Sequence, residues 1–197
     1  MITLITNRKL VEANRYFEVI EKAIKGGVSR LILREKDLPI LEYLEVTKKL
    51  YKLKDKYEFE LILNTPLEKN RLKEFCDGFH FTEESLIKCK ETKDKVFLKG
   101  ISIHKEELVS SVGDFDYMIY SNIFETDCKK GLKGKGIEAL KEVVKNSSIP
   151  VWALGGITLK NVSQLKNTQI AGICVMSGIM SSKDPEKDVY EYLNKIV

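Results

Sequence analysis

Eight short apolar runs punctuate this chain, and charged stretches with helical spacing separate them. The runs are Thr3–Ile5, Arg30–Leu33, Glu60–Leu63, Gly78–Phe81, Leu98–Ile103, Tyr117–Tyr120, Val151–Leu154 and Gly172–Met176. Near-continuous apolar strands belong to parallel sheets covered on both faces, because a sheet with one wet face alternates in polarity. Between the runs, Tyr16, Val19, Ile20 and Ala23 share one helical face, which stops at Gly26-Gly27. Leu41, Leu44 and Tyr51 line a second face, Ile137, Leu140 and Val144 a third, and a last helix is expected near Pro185–Ile196.

Strand and helix in alternation imply a parallel α/β fold, either a closed eight-stranded barrel or an open doubly wound sheet. The first strand–loop–helix passage, Ile5-Thr6-Asn7-Arg8-Lys9, has no G-x-G-x-x-G fingerprint, which weakens the dinucleotide-binding sheet. The count of eight favours a (β/α)8 barrel. With 197 residues, against a lower end of ~200 for such barrels, it is expected to be a minimal single domain over 1–197 with short loops. Hydrophobic residues make up 43% of the chain, enough for a core and too many for a disordered polymer. A net charge of +4 spread over 31% charged residues makes no case for nucleic-acid binding. The cysteines at 76, 89, 128 and 174 form no C-x-x-C pair, and there are only 2 histidines. Structural zinc and a disulfide framework are therefore not expected, and a reducing, cytoplasmic compartment is. The apolar start, Met1–Thr6, lacks a basic leader and a cleavage site, so it reads as a strand. No apolar run approaches the ~18 residues of a membrane span.

A barrel of this kind does its chemistry at the C-terminal ends of its strands. Strand seven ends in Gly155-Gly156 and strand eight in Met176-Ser177-Gly178. Glycine admits close approach of the backbone and a following helix start aims N–H groups at an anion, so the pair reads as a phosphate site; the alternative is two tight turns. After strand six, Asn122–Gly136 holds Lys129, Lys130, Lys133 and Lys135 among glycines, a mobile basic lid or a plain solvated turn. Arg34 and Lys36 share one side at the end of strand two and suit an anion, unless Glu35, Asp37 or a neighbouring strand pairs with them. Asn64 closes strand three, and strand five carries Ser102 and His104. His80, inside an apolar strand, reads as a hydrogen-bonded core histidine. His104 reads as exposed at a helix start.

The segments Leu-Arg-Glu-Lys-Asp at 33–37, Gly-Phe-His-Phe at 78–81, Ile-Ser-Ile-His at 101–104, Ile-Pro-Val-Trp-Ala-Leu-Gly-Gly-Ile-Thr at 149–158 and Ala-Gly-Ile-Cys-Val-Met-Ser-Gly-Ile at 171–179 resemble the thiamine phosphate synthase/TenI superfamily in order along nearly the whole chain. The stretch Phe-Glu-Thr-Asp-Cys-Lys-Lys-Gly at 124–131 is especially similar to the TenI, or thiazole tautomerase, branch. The resemblance implies a (β/α)8 barrel, a phosphorylated thiazole ligand held at Gly156 and Ser177, and a homodimer. On the tautomerase reading Arg34 and Lys36 meet the substrate carboxylate or remain as relics of a pyrophosphate site, and Thr126 and Lys129 line a lid. The synthase branch needs Mg²⁺ held by two aspartates; Thr65 and Ser85 stand at those positions, with Glu83 or Glu84 as the substitutes left open, and Ile32 replaces its glutamine. The tautomerase branch uses a histidine where Asn122 stands, and an amide is no general base near pH 7. The expectation is a tautomerase that aromatises thiazole carboxylate phosphate, with Asn122 and Lys129 at the reaction centre, Cys128 and His104 as further candidates, and no metal or cofactor. The alternatives are a Mg²⁺-dependent thiamine phosphate synthase and a non-catalytic, regulatory binder of thiazole phosphate.

Overall fold

In the computed structural model, which describes residues 1–65, 71–86, 97–126 and 133–196, eight parallel strands close into a barrel in chain order. They are β1 (Ile2–Ile5), β2 (Arg30–Leu33), β3 (Glu60–Leu63), β4 (Gly78–Thr82), β5 (Leu98–Ile103), β6 (Tyr117–Ser121), β7 (Val151–Leu154) and β8 (Gly172–Val175). The barrel is sealed by β1 against β8, with Ile2 opposite Ile173 and Leu4 opposite Val175. The expected strand limits are met within a residue, and the open-sheet alternative falls because no edge remains.

Helices cover the outside. In α1 (Tyr16–Lys25) the expected face is buried, with Ile24 added. In α2 (Ile40–Tyr51) the expected face is wrong: Leu41 is 67% exposed, and Tyr43, Thr47 and Leu50 are buried instead. The reason is polar satisfaction. The Tyr43 hydroxyl donates to Leu33 O at 2.8 Å and the Thr47 hydroxyl to Tyr43 O at 2.8 Å, so both enter the core at no unpaired cost. In α3 (Gly136–Asn146) Leu140 and Val143 are buried, and Ile137 and Val144 only half so. A single turn, α4 (Ser177–Met180), follows β8, and α5 (Pro185–Ile196) packs Val189 and Tyr192 inward. The strict strand–helix alternation relaxes in the β5–β6 and β7–β8 links, where 3-10 segments at Glu106–Ser111 and Val162–Leu165 take the helix position. Few apolar positions serve these links, Val109 in the first and Val162 with Leu165 in the second.

Alternate strand residues fill the interior. Ile5, Ile32, Ile62, Ile119 and Cys174 form one cluster with Tyr117 and Trp152. Beneath them Arg30 is buried: its Nε donates to Glu60 Oε2 at 2.6 Å, and its guanidinium lies 4.0 Å from the Tyr117 ring centre and 4.6 Å from that of Trp152. A charge there is tolerated because carboxylate and π-faces surround it. Cys76 and Cys174 are free and buried, and burial pushes the Cys76 thiol up to about 11 and that of Cys174 up to about 12, so neither is a thiolate at neutral pH. Cys89 and Cys128 lie outside the described residues. Among the described residues, no helix is long and apolar enough to cross a membrane.

Gly100 of β5 faces Tyr117, and a Cβ there would collide with the phenol ring. Gly100→Ala is expected to lower unfolding free energy by about 1–3 kcal/mol, the range for overpacked cores. Urea denaturation followed by Trp152 fluorescence measures it; an unchanged midpoint would disprove the tight contact.

Candidate active site at the barrel mouth

The end of β2 carries four charges in a row, and the fold sorts them by sign. Glu35 is buried, and it accepts hydrogen bonds from the Arg8 backbone N–H at 3.0 Å, from Arg8 Nη1 at 3.4 Å and from the Tyr16 hydroxyl at 3.0 Å. Asp37 pairs with Arg8 at 2.5 Å and with Lys9 at 2.9 Å, and these cations hold its carboxyl far below the usual range. Both carboxylates are thus taken by the loop after β1. Arg34 and Lys36 project from the other side, exposed and without a carboxylate partner among the described residues. The ion pairing with Glu35 and Asp37 left open by the sequence is not made. Arg34 is fixed through its backbone N–H, which donates to Thr6 Oγ1 at 3.0 Å. Two unneutralised cations side by side make a positive field at the mouth.

On the neighbouring strands the polar groups interlock. Asn64 is buried and its amide donates to His80 O at 2.8 Å, tying β3 to β4. His80 bridges Ser102 Oγ at 2.7 Å and the Tyr117 hydroxyl at 3.2 Å. Burial first, then the Arg30 and Lys36 charges, push its imidazole down to about 3, so it is neutral around pH 7. The core-histidine reading holds, and the chain Tyr117–His80–Ser102 runs from the barrel interior to the mouth. His104 is exposed just past β5. Its Nδ1 lies 3.0 Å from Ser121 Oγ and 3.3 Å from Ser121 O. Its backbone is held from two sides: the N–H donates to Glu83 Oε2 at 2.9 Å, and the carbonyl accepts from the Lys135 ammonium.

At the ends of β6 and β7 the glycine pair has a packing use. Gly155 and Gly156 have φ of +105° and +65°, where glycine is favoured. A Cβ on Gly155 would lie 2.6 Å from Asn122 Cβ, and one on Gly156 would collide with Glu125 O. The close approach is therefore by the β6 loop, which bonds to this turn through Ile123 N–H to Leu154 O and Phe124 N–H to Gly155 O, both at 3.0 Å. Asn122 is buried, with its amide 3.4 Å from Phe124 O, and Thr126 is half-buried beyond it. Past β8, the N–H groups of Ile179 and Met180 are taken by Met176 O at 3.2 and 2.9 Å. Those of Ser177 and Gly178, the first of α4, have no acceptor within the helix. Ser177 is exposed, while Met176 is half-buried beside Asn7. Gly178 also serves packing, since a Cβ on it would lie 2.6 Å from the Tyr192 hydroxyl.

Arg34, Lys36, Asn64, Ser102, Asn122, Thr126, Gly155, Gly156, Met176, Ser177 and Gly178 thus all sit at one end of the barrel, where closure brings them together. Lys129 lies outside the described residues. Sequence reasoning missed Glu35 as a buried anchor, Thr6 as the support of Arg34 at the mouth and Tyr117 as the interior partner of His80. Strand alternation held a signal for Glu35, which must face opposite to Arg34 and Lys36. Among the described residues, no group of three or more His, Cys, Asp or Glu could hold a metal ion.

The profile of the family described as thiamine monophosphate synthase matches residues 2–179. A thiamine-phosphate synthase of Fusobacterium nucleatum is 34% identical over 197 residues, covering 98% of this chain and 95% of that protein. One of Clostridium acetobutylicum is 32% identical over 199 residues, covering 98% and 94%. The solved structure of a thiamine phosphate pyrophosphorylase from Pyrococcus furiosus superposes with a TM-score of 0.85 at 26% identity, covering 99% of this chain and 94% of that one.

The buried His80 makes the barrel sensitive to acid. Its imidazole is lowered from 6.5 to about 3, so the unfolded chain binds the proton more readily in that window. Its contribution to stability is complete above about pH 6.5 and is lost as pH falls toward 3, by up to about 1.4 kcal/mol per pH unit. Urea denaturation at pH 7, 6, 5 and 4 is expected to show a shallower acid loss in His80→Gln than in the wild type. Parallel curves would disprove it.

Proposed function

Because this chain belongs to the thiamine monophosphate synthase family, we propose that it acts in thiamine biosynthesis on a phosphorylated thiazole, and that its reaction is the aromatising tautomerisation of thiazole carboxylate phosphate. The observation that carries this reading is a pair of cations with no carboxylate partner among the described residues. With Glu35 and Asp37 committed to Arg8, Lys9 and Tyr16, Arg34 and Lys36 offer one anion site, and the start of α4 at Ser177 offers another. A substrate with a phosphate at one end and a carboxylate at the other matches two anion sites in one mouth.

A second reading, thiamine-phosphate synthase, is favoured by the names of the full-length relatives, which bear on it more directly than on the first. Coupling would bring a pyrophosphate and its Mg²⁺. The donor set fits that ion poorly: Thr65 and Ser85 stand where the resemblance calls for carboxylates, Glu83 and Glu84 beside Ser85 being the nearest acids in the chain, and the described residues hold no group of three or more His, Cys, Asp or Glu that could bind a metal. The tautomerisation asks only for oriented anions and a proton-transferring group.

Two assays separate these readings. In the first, the purified protein is mixed with the thiazole tautomer and aromatisation is followed by absorbance; acceleration over buffer at micromolar enzyme is expected. In the second, it is given the pyrimidine pyrophosphate, thiazole phosphate and Mg²⁺, and no thiamine phosphate is expected. The reverse result establishes the synthase. Binding without turnover in both identifies a regulatory binder. Ser177→Ala is expected to cost on the order of 1–3 kcal/mol of affinity for thiazole phosphate by calorimetry, the range for a bond to a charged group. Arg34→Ala is expected to weaken the carboxylated ligand about tenfold or more while sparing the uncarboxylated one. Equal losses for both ligands would place the carboxylate elsewhere.

A further inference from the structure

The tautomerase reading lacks a base at residue 122, and the geometry of the neighbouring strand supplies one. We propose that His104 is the group that removes the ring proton. This inference rests on the tautomerase reading of the same site.

His104 follows Ser102 by two residues, one position past the end of β5, so the two face the same way, with His104 one step further out of the barrel. Its ring reaches across to the end of β6 and rests on Ser121, the residue directly before Asn122. An imidazole from β5 thus arrives beside the position at which the resemblance calls for a histidine on β6. The contacts also assign its tautomer. Nδ1 lies 3.3 Å from the Ser121 carbonyl oxygen and 3.0 Å from the Ser121 hydroxyl. A carbonyl only accepts, so Nδ1 carries the hydrogen. In the neutral ring the lone pair is then on Nε2, which has no partner among the described residues.

Other groups at the mouth are less suited. Asn122 is buried, and its amide faces Phe124 O. His80 is closed off between Ser102 and Tyr117. Glu83 receives the His104 backbone N–H, and Lys135 donates to the His104 carbonyl. These last two contacts hold the main chain and leave the imidazole edge available. Lys105 is the adjacent charged residue on the same turn.

The step balances without an oxidant or a metal. One C–H bond of the ring breaks, its proton passes to Nε2, and the electron pair shifts through the conjugated ring. One C–H bond forms at the far end of that system, with a proton returned from the imidazolium or from water.

The test combines kinetics with spectroscopy. His104→Ala is expected to lower kcat for aromatisation by about a hundredfold or more, the usual contribution of a general base, with KM nearly unchanged. Added imidazole is expected to restore part of the rate. With only 2 histidines in the chain, the ring nitrogens of His104 are resolved by ¹⁵N NMR of the wild type. They are expected to show the Nδ1–H tautomer and to shift when the aromatic thiazole carboxylate phosphate is added. An active wild type with undiminished kcat in a folded His104→Ala overturns the inference and leaves the tautomerase reading standing. Product binding that leaves the His104 signals unmoved also overturns it. A wild type that does not accelerate the reaction overturns the tautomerase reading, and the inference falls with it.

Discussion

Everything at the mouth depends on the pairing of β1 with β8. The first and last strands of the chain meet through Ile2, Thr3 and Leu4 against Ile173, Cys174 and Val175. Without that contact, β1 and β8 would be open edges with unpaired backbone groups, and the loops after β2 and β8 would not share a cavity. Closure converts alternation along each strand into an inside and an outside. The outside is covered by α1, α2, α3 and α5. The inside is too narrow for water-filled space and is packed by isoleucines over the Arg30–Glu60 floor.

Charge is distributed along the barrel axis in the same economical way. At the floor, Arg30 is engaged through its Nε by Glu60 and through its guanidinium face by Tyr117 and Trp152. At the mouth, Glu35 and Asp37 are engaged, and Arg34 and Lys36 beside them have no carboxylate partner among the described residues. The difference is geometric. Residues of alternating sign at the end of a strand face alternately toward the neighbouring loop and toward the opening, so Arg8 collects the acids and the bases remain. A buried carboxylate with a charged and a neutral donor is a rigid anchor, which holds Arg34 and Lys36 without using their charge.

The neutral His80 links the two ends. It stands above Arg30 and below Ser102, and a proton there would add a second buried cation to the barrel. Its hydrogen bonds to Tyr117 and Ser102 satisfy both ring nitrogens, which is how a polar residue is accommodated in an apolar interior. The stability of the barrel and the orientation of a mouth hydroxyl therefore rest on one side chain.

The strands, their parallel sense and the end of the barrel that bears the chemistry were legible in the sequence, because burial on both faces makes each strand a short continuous apolar run and the turns that follow carry glycines and cations. Arg34, Lys36, Gly156 and Ser177 were placed at that end of the barrel by that rule alone. Three things were decided by the tertiary structure. The buried face of α2 is Tyr43, Thr47 and Leu50 because Leu33 O accepts the Tyr43 hydroxyl, and no helical periodicity reports an acceptor on another element. Gly155 and Gly156 are glycines because the β6 loop lies against them, a contact between segments far apart in the chain. His104 meets Ser121 because neighbouring strands of a closed barrel stand side by side with their ends in register, which sets a distance that spacing along the sequence does not contain.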